Sequence, residues 1–163
     1  MKKFSVDFGT LIVSNDSAEA EQLLCMSKVV LENIRHLEKS YPNFQYWFES
    51  QVVRGILGGS RSFVIELRDG KMAGVAILKD TPEEKKICTI SVCDEFKSKG
   101  MGVRLFEKSM RLLDTDKPLA SVSESRLPEF EKIFEYLDYD YSAEYHGLYL
   151  PQRKEFSFNG LLQ

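Results

Sequence analysis

Between residues 86 and 113 the alternation of apolar and polar positions changes its period. Ile87-Cys88-Thr89-Ile90-Ser91-Val92 is a β-branched run bounded by charge, which suits a pleated, half-buried strand. Beyond it Val103, Phe106, Met110 and Leu113 recur at helical spacing with Leu105 and Leu112 beside them, so the spacing predicts an amphipathic helix with one apolar stripe. Lys97-Ser98-Lys99-Gly100-Met101-Gly102 falls between the two.

The same reading extends along the chain. Residues 3–14 hold Phe4, Val6, Phe8, Leu11, Ile12 and Val13 and predict a strand or two short extended pieces. Asn15-Asp16-Ser17 offers capping side chains, and Glu19 to Lys39 follows at mostly helical spacing until Ser40-Tyr41-Pro42-Asn43 breaks it. Phe44 to Leu57 resumes a helical pattern and stops at Gly58-Gly59. Arg61 to Arg68 and Lys71 to Lys79 read as strands joined by the turn dipeptide Asp69-Gly70, and with the strand from Lys86 they predict an antiparallel meander. Leu119 to Ser123 is a strand that the intervening helix places parallel to Ile87–Val92 through a right-handed crossover. Leu127 to Leu137 is a second amphipathic helix, and Tyr139 to Leu150 and Arg153 to Phe158 predict two closing strands around Pro151-Gln152.

Composition narrows the classes. A chain of 163 residues suits one domain, burying about 70% of the surface it exposes when unfolded. No apolar run is long enough to cross a bilayer, and the first residues lack the apolar core of a signal peptide, so a cytoplasmic location with no membrane partner is expected. Cys25, Cys88 and Cys93 form no Cys-x-x-Cys pair, and His36 and His146 are far apart, so neither a disulfide framework nor a metal site is expected. A net charge of -3 argues against a nucleic-acid surface and favours cationic acceptors through long-range attraction.

Against that acidic background Lys97, Lys99, Arg104, Lys108 and Arg111 crowd around the glycines, opposed only by Glu107. The first turn of a helix leaves N–H groups unpaired and carries the positive end of the dipole, which suits an anion. Gly100 and Gly102 would let a bulky diphosphate approach the main chain. A dinucleotide fingerprint would need a third glycine where Leu105 stands, and a P-loop would need Gly-Lys-Ser/Thr. The remaining alternative is a tight strand-to-helix turn with solvated lysines.

The stretch resembles the acetyl-CoA-binding motif of the GCN5-related N-acetyltransferases (GNAT), Arg/Gln-x-x-Gly-x-Gly/Ala, written here Lys97-Ser98-Lys99-Gly100-Met101-Gly102 after Ile90-Ser91-Val92-Cys93-Asp94-Glu95-Phe96. Lys97 replaces the first Arg or Gln and offers charge without the planar fork of arginine. The resemblance implies an α/β (α+β) single domain over 1–163. Its mixed, mostly antiparallel sheet has about six to seven strands, flanked by about four helices, with one parallel pair splayed. Helices within 16–58 would border the acceptor site, 61–137 would form the acetyl-CoA-binding core, and strands within 139–159 would close the sheet. Ile90, Ser91 and Val92 would bond the pantetheine arm as an added strand does, and one of their N–H groups would polarise the acetyl carbonyl. Lys97, Ser98, Lys99, Gly100, Met101, Gly102 and Val103 would hold the pyrophosphate.

Acetyl-CoA is then the cosubstrate, with no metal, and the acceptor is a primary amine of a small molecule or protein; a homodimer is compatible. The family's usual proton donor is a tyrosine where Phe134 stands, four residues before a Gly-Phe that reads Asp138-Tyr139 here. Tyr136, two residues along, is the first substitute on the expectation that a helical misregister brings it into the slot, with Tyr139, Tyr141 and Tyr145 near it in sequence. Glu124, at the end of the parallel strand, and Glu66 are the candidate bases, and Ser125 stands nearest the place of a family asparagine. The missing tyrosine also motivates a second function, a catalytically silent acyl-CoA-binding or regulatory module.

Overall fold

A computed structural model describes residues 5–7 and 9–162. Eight strands, β1 (Ser5–Asp7), β2 (Thr10–Val13), β3 (Arg61–Arg68), β4 (Lys71–Asp80), β5 (Lys85–Val92), β6 (Leu119–Ser123), β7 (Tyr141–His146) and β8 (Lys154–Phe158), form one sheet in the order β1-β2-β3-β4-β5-β6-β8-β7. Among the described residues only β5 and β6 run parallel. The extended N-terminal piece is a hairpin, β1 with β2, which adds a strand to the sheet expected. Of that predicted 3–14 segment, residues 3, 4 and 8 lie outside the described residues.

The helices divide between the two faces. On one lie α1 (Ala20–Ile34), a 3-10 turn (Arg35–Lys39), α2 (Phe44–Trp47), a π-helical segment (Phe48–Val53) and α3 (Arg54–Gly58). They cover a core that includes Val30, Ile34, Phe48, Phe63 and Ile77. On the other face α4 (Met101–Leu113) and α5 (Leu127–Tyr136) cover Leu78, Ile90, Leu105, Phe106 and Phe134. Among the described residues no helix is long and apolar enough to cross a membrane.

The cap of α1 differs from the sequence reading. Ser17 spends its hydroxyl on the Ile12 and Ser14 carbonyls, and the helix opens at Glu19, whose N–H donates to Gln22 Oε1 at 2.9 Å in a reciprocal capping box. The predicted stop after Leu57 is real. Gly59 takes φ +92, and its N–H and that of Ser60 both donate to the Gly55 carbonyl at 2.9 Å.

One irregularity positions everything that follows. Leu78 pairs with Ile87 but Ile77 pairs with Thr89, so Cys88 is an extra residue bulged out of β5. A bulge bends and twists its strand. β5 and β6 accordingly pair only at Lys86 with Leu119 and Ile87 with Ala120, and part from the bulge onward. Each stays bonded to its outer neighbour, β5 to β4 as far as Val92 and β6 to β8 as far as Ser123. The opening is braced from below by Leu105, fully buried on α4 where Gly74 of β4 leaves room for it. Leu105→Ala is expected to cost about 2–5 kcal/mol, read by urea denaturation.

Candidate active site

Beyond Ile87 the edge of β5 that faces β6 has no strand against it. Arg126, at the start of α5, reaches across the gap and donates from Nη2 to the Ile90 carbonyl at 2.8 Å, its guanidinium lying 5.0 Å from the Phe130 ring centroid. Two cavities meet at the gap, and Tyr41, Cys88, Thr89 and Ser121 line both. The one on the α1–α3 side measures about 210 Å³ and the one on the α4–α5 side about 30 Å³. Phe134, in the position of the tyrosine of the family resembled, lines the smaller, meeting Phe106 edge-on at 5.5 Å between centroids and Phe158 at a tilt at 4.4 Å.

The glycine loop follows at the open end of β5. After a 3-10 turn (Asp94–Phe96), Ser98 takes φ 63 and Gly100 φ 78, and Gly100 caps α4 with no side chain bonded to its first turn. The N–H groups there are available to an anion. The two glycines differ in what they permit. A Cβ on Gly100 would meet nothing within 4 Å, whereas one on Gly102 would stand 2.9 Å from Ile133 Cδ1. Gly100 thus leaves an open seat, and Gly102 lets α4 and α5 approach.

Charge at this corner is partly spent within the protein. Lys97 lies 3.1 Å from Asp94 and 3.9 Å from Glu129, Arg126 lies 3.7 Å from Glu129, and Lys99 sits over the Phe96 ring. Burial, then Arg126 and Lys97, hold the His36 imidazole below its ordinary value despite Asp94 and Glu129.

The catalytic candidates read from sequence do not gather at the gap. Tyr136 is 71% exposed on α5 and lines neither cavity. Glu124 is exposed past the end of β6, where it borders a separate hollow with Ser125 and Arg153. Glu66 is fully buried in β3, taking a 2.8 Å bond from the Thr10 hydroxyl and lying 3.3 Å from Arg68. Cys93 donates its thiol to the Met72 carbonyl at 3.1 Å, and burial followed by Glu95 and Asp94 raises its pKa, so it is no thiolate.

The groups that do gather come from elsewhere. Glu155 on β8 is 4% exposed and lines the larger cavity, with the Tyr41 hydroxyl donating to it at 3.5 Å and Ser121 bonded to it. Burial raises its pKa, against the opposing effects of Ser121, Lys86, Tyr41 and Arg126. Tyr41 meets Tyr149 edge-on at 5.2 Å between centroids. Burial and then Glu155 raise the Tyr41 phenol, and burial pushes Tyr149 up to about 12. Glu155 had a faint sequence signal: in Lys154-Glu155-Phe156-Ser157-Phe158 the phenylalanines alternate with Glu155 and Ser157. Nothing in that pattern says that β8 lies inside the sheet, between β6 and β7.

The arrangement has solved counterparts. Ribosomal-protein-S18-alanine N-acetyltransferase from Escherichia coli superposes with a TM-score of 0.62 at 18% identity over 91% of each chain. A Desulfovibrio desulfuricans protein assigned to the GNAT family gives 0.60 at 18% identity over 85% of this chain and 90% of its own. A chain of the NatC complex crystallised with Gag peptide and CoA gives 0.61 at 14% identity over 93% and 97%. No protein-family model and no curated protein sequence matches the chain. The chain has the fold of the GNAT acetyltransferases, a mixed sheet opened at one parallel pair.

Proposed function

We propose that the chain transfers the acetyl group of acetyl-CoA to a primary amine. The observation that carries this reading is that β5 leaves β6 at the Cys88 bulge and runs, edge free, into the uncapped start of α4. The main-chain edge of β5 left open past the bulge, at Ile90 and Val92 with Ser91 between them facing β4, suits a pantetheine arm, and the amides of Ser98 to Val103 with Lys97 and Lys99 suit its diphosphate. Arg126 must release the Ile90 carbonyl for that arm to lie there. Bound acetyl-CoA supplies an activated acyl group as a thioester.

The chain's own residues manage the protons. Glu155 takes a proton from the acceptor ammonium, which is mostly protonated at neutral pH. Tyr41 lines both cavities, so its phenol, which burial keeps protonated, stands where a departing thiolate can be protonated. Its contact with Glu155 lets the carboxyl return that proton to the phenol, which resets the pair, while the second proton that the nitrogen loses as the amide forms passes to solvent. Tyr41 thereby fills from the α1–α3 face the role left open by Phe134.

Calorimetry with acetyl-CoA, CoA, NAD and ATP tests the binding step, with the two CoA species expected to bind and the other two not. Tyr41→Phe is expected to lower kcat about 10²-fold or more with acetyl-CoA affinity retained. A silent acyl-CoA-binding module is the second reading, favoured by Phe134 and by Arg126 across the gap. Binding without thiol release over a broad amine panel would select it.

A further inference from the structure

The cavity beside Glu155 holds a distribution of charge that the acetyl-transfer step does not use. Its volume of about 210 Å³ lies below the roughly 300–1,000 Å³ of sites for drug-sized ligands, so it suits an acceptor of few heavy atoms. Arg61, Lys79 and Lys86 line it against Glu84 and Glu155, one cation in excess. Lys79 and Glu84 satisfy each other at 3.1 Å.

Arg61 and Lys86 are left without a carboxylate within 4 Å among the described residues. The Arg61 guanidinium meets only the Cys88 sulfur, at 3.1 Å from Nη1, and the Trp47 ring, at 5.8 Å. Most of its planar fork of donors is therefore unfilled. Its stem is nonetheless held. A Cβ on buried Gly55 would stand 2.6 Å from Arg61 Cγ and 2.7 Å from Cδ, so the glycine makes the groove in which the side chain lies.

We infer that the acceptor is a small amino acid, with its carboxylate on the Arg61 fork near Lys86 and its amine toward Glu155; this rests on the acetyltransferase reading. Arg61 reaches over β5 to Cys88, and Glu155 stands on β8 with β6 between, so the cavity offers an amino acid a cation for its carboxylate on one side of the opening and a carboxylate for its amine on the other. Its side chain then falls among Phe44, Trp47 and Tyr149, which favours an apolar or aromatic one. The local excess of cations reverses the expectation drawn from net charge, because a polycationic amine would meet Arg61 and Lys86 as like charges.

The test compares amino acids with amines lacking the carboxylate: phenylalanine with phenethylamine, and leucine with leucinamide and isopentylamine. The amino acids are expected to have about 10- to 100-fold higher kcat/KM, the worth of a charged hydrogen-bonded pair. Arg61→Met is expected to collapse that ratio toward one, and Gly55→Ala to raise the amino-acid KM by displacing Arg61. Equal use of both classes, preference for a peptide N-terminus or polyamine, or equal losses for both classes in R61M would overturn the inference while leaving the acetyltransferase reading in place. Calorimetry of phenylalanine and leucine with the CoA-free and CoA-saturated protein decides the matter without turnover. Binding weakened 10-fold or more in R61M supports the site even if no CoA species binds; no binding in either state overturns it.

Discussion

Glu155→Gln is expected to lower kcat about 10²- to 10⁴-fold, the range for loss of a positioned general base, with the fold intact. The carboxyl is buried on β8 with Tyr41 and Ser121 bonded to it, so the ionised form is poorly solvated. Its pKa therefore stands above the ordinary 4.5, and the acidic limb of the rate profile should lie higher than for an exposed glutamate. Stability should move the opposite way. The folded chain binds this proton more tightly than the unfolded chain, so the neutral carboxyl contributes stability at acid pH that is lost as pH rises from the ordinary value through the raised one. Glutamine has no such proton to lose, so E155Q should equal or exceed the parent in Tm at neutral pH. A variant that keeps its kcat would remove Glu155 from the mechanism, and one that merely unfolds would show the residue to be structural.

Gly100→Glu is expected to weaken acetyl-CoA binding by 100-fold or more, about 2.7 kcal/mol. Space around the missing Cβ is open, so the new side chain fills the seat at the start of α4 and puts negative charge where an anion should sit. The left-handed backbone adds a conformational cost on the order of 1 kcal/mol for any residue but glycine. Gly147→Glu supplies the control. Gly147, in the β7–β8 connection, also has a positive φ and open space, so its variant bears the same backbone cost and the same charge away from the start of α4. Calorimetry should separate the two variants. Equal affinities would place the diphosphate elsewhere.

Local chemistry made some of this legible. The meander followed by β5, α4 and β6 was readable because Asp69-Gly70 sets a turn and the apolar period switches after Gly102. Phe134 does stand in the smaller cavity, on the face that the helical spacing of Phe130, Ile133, Phe134 and Leu137 assigns to the core. The remaining candidates failed to converge for identifiable reasons. Tyr136 sits on the solvent side of α5, two residues and so about 200° around the helix from Phe134, and no small shift of register brings it into the slot. Glu124 lies past the strand end, where the chain turns outward into α5.

The order of elements and the turn at Gly100 were set by the sequence alone, because strand period, helix period and turn chemistry act over a few neighbouring residues. Tertiary structure decided the chemistry around them. The bulge at Cys88 opened the sheet, and strand order brought Glu155 of β8, Tyr41 from the α1–α2 connection and Arg61 of β3 to the same opening. These residues are more than a hundred positions apart at the extremes, and no local pattern encodes a meeting that depends on which strand lies inside the sheet and which edge is left free.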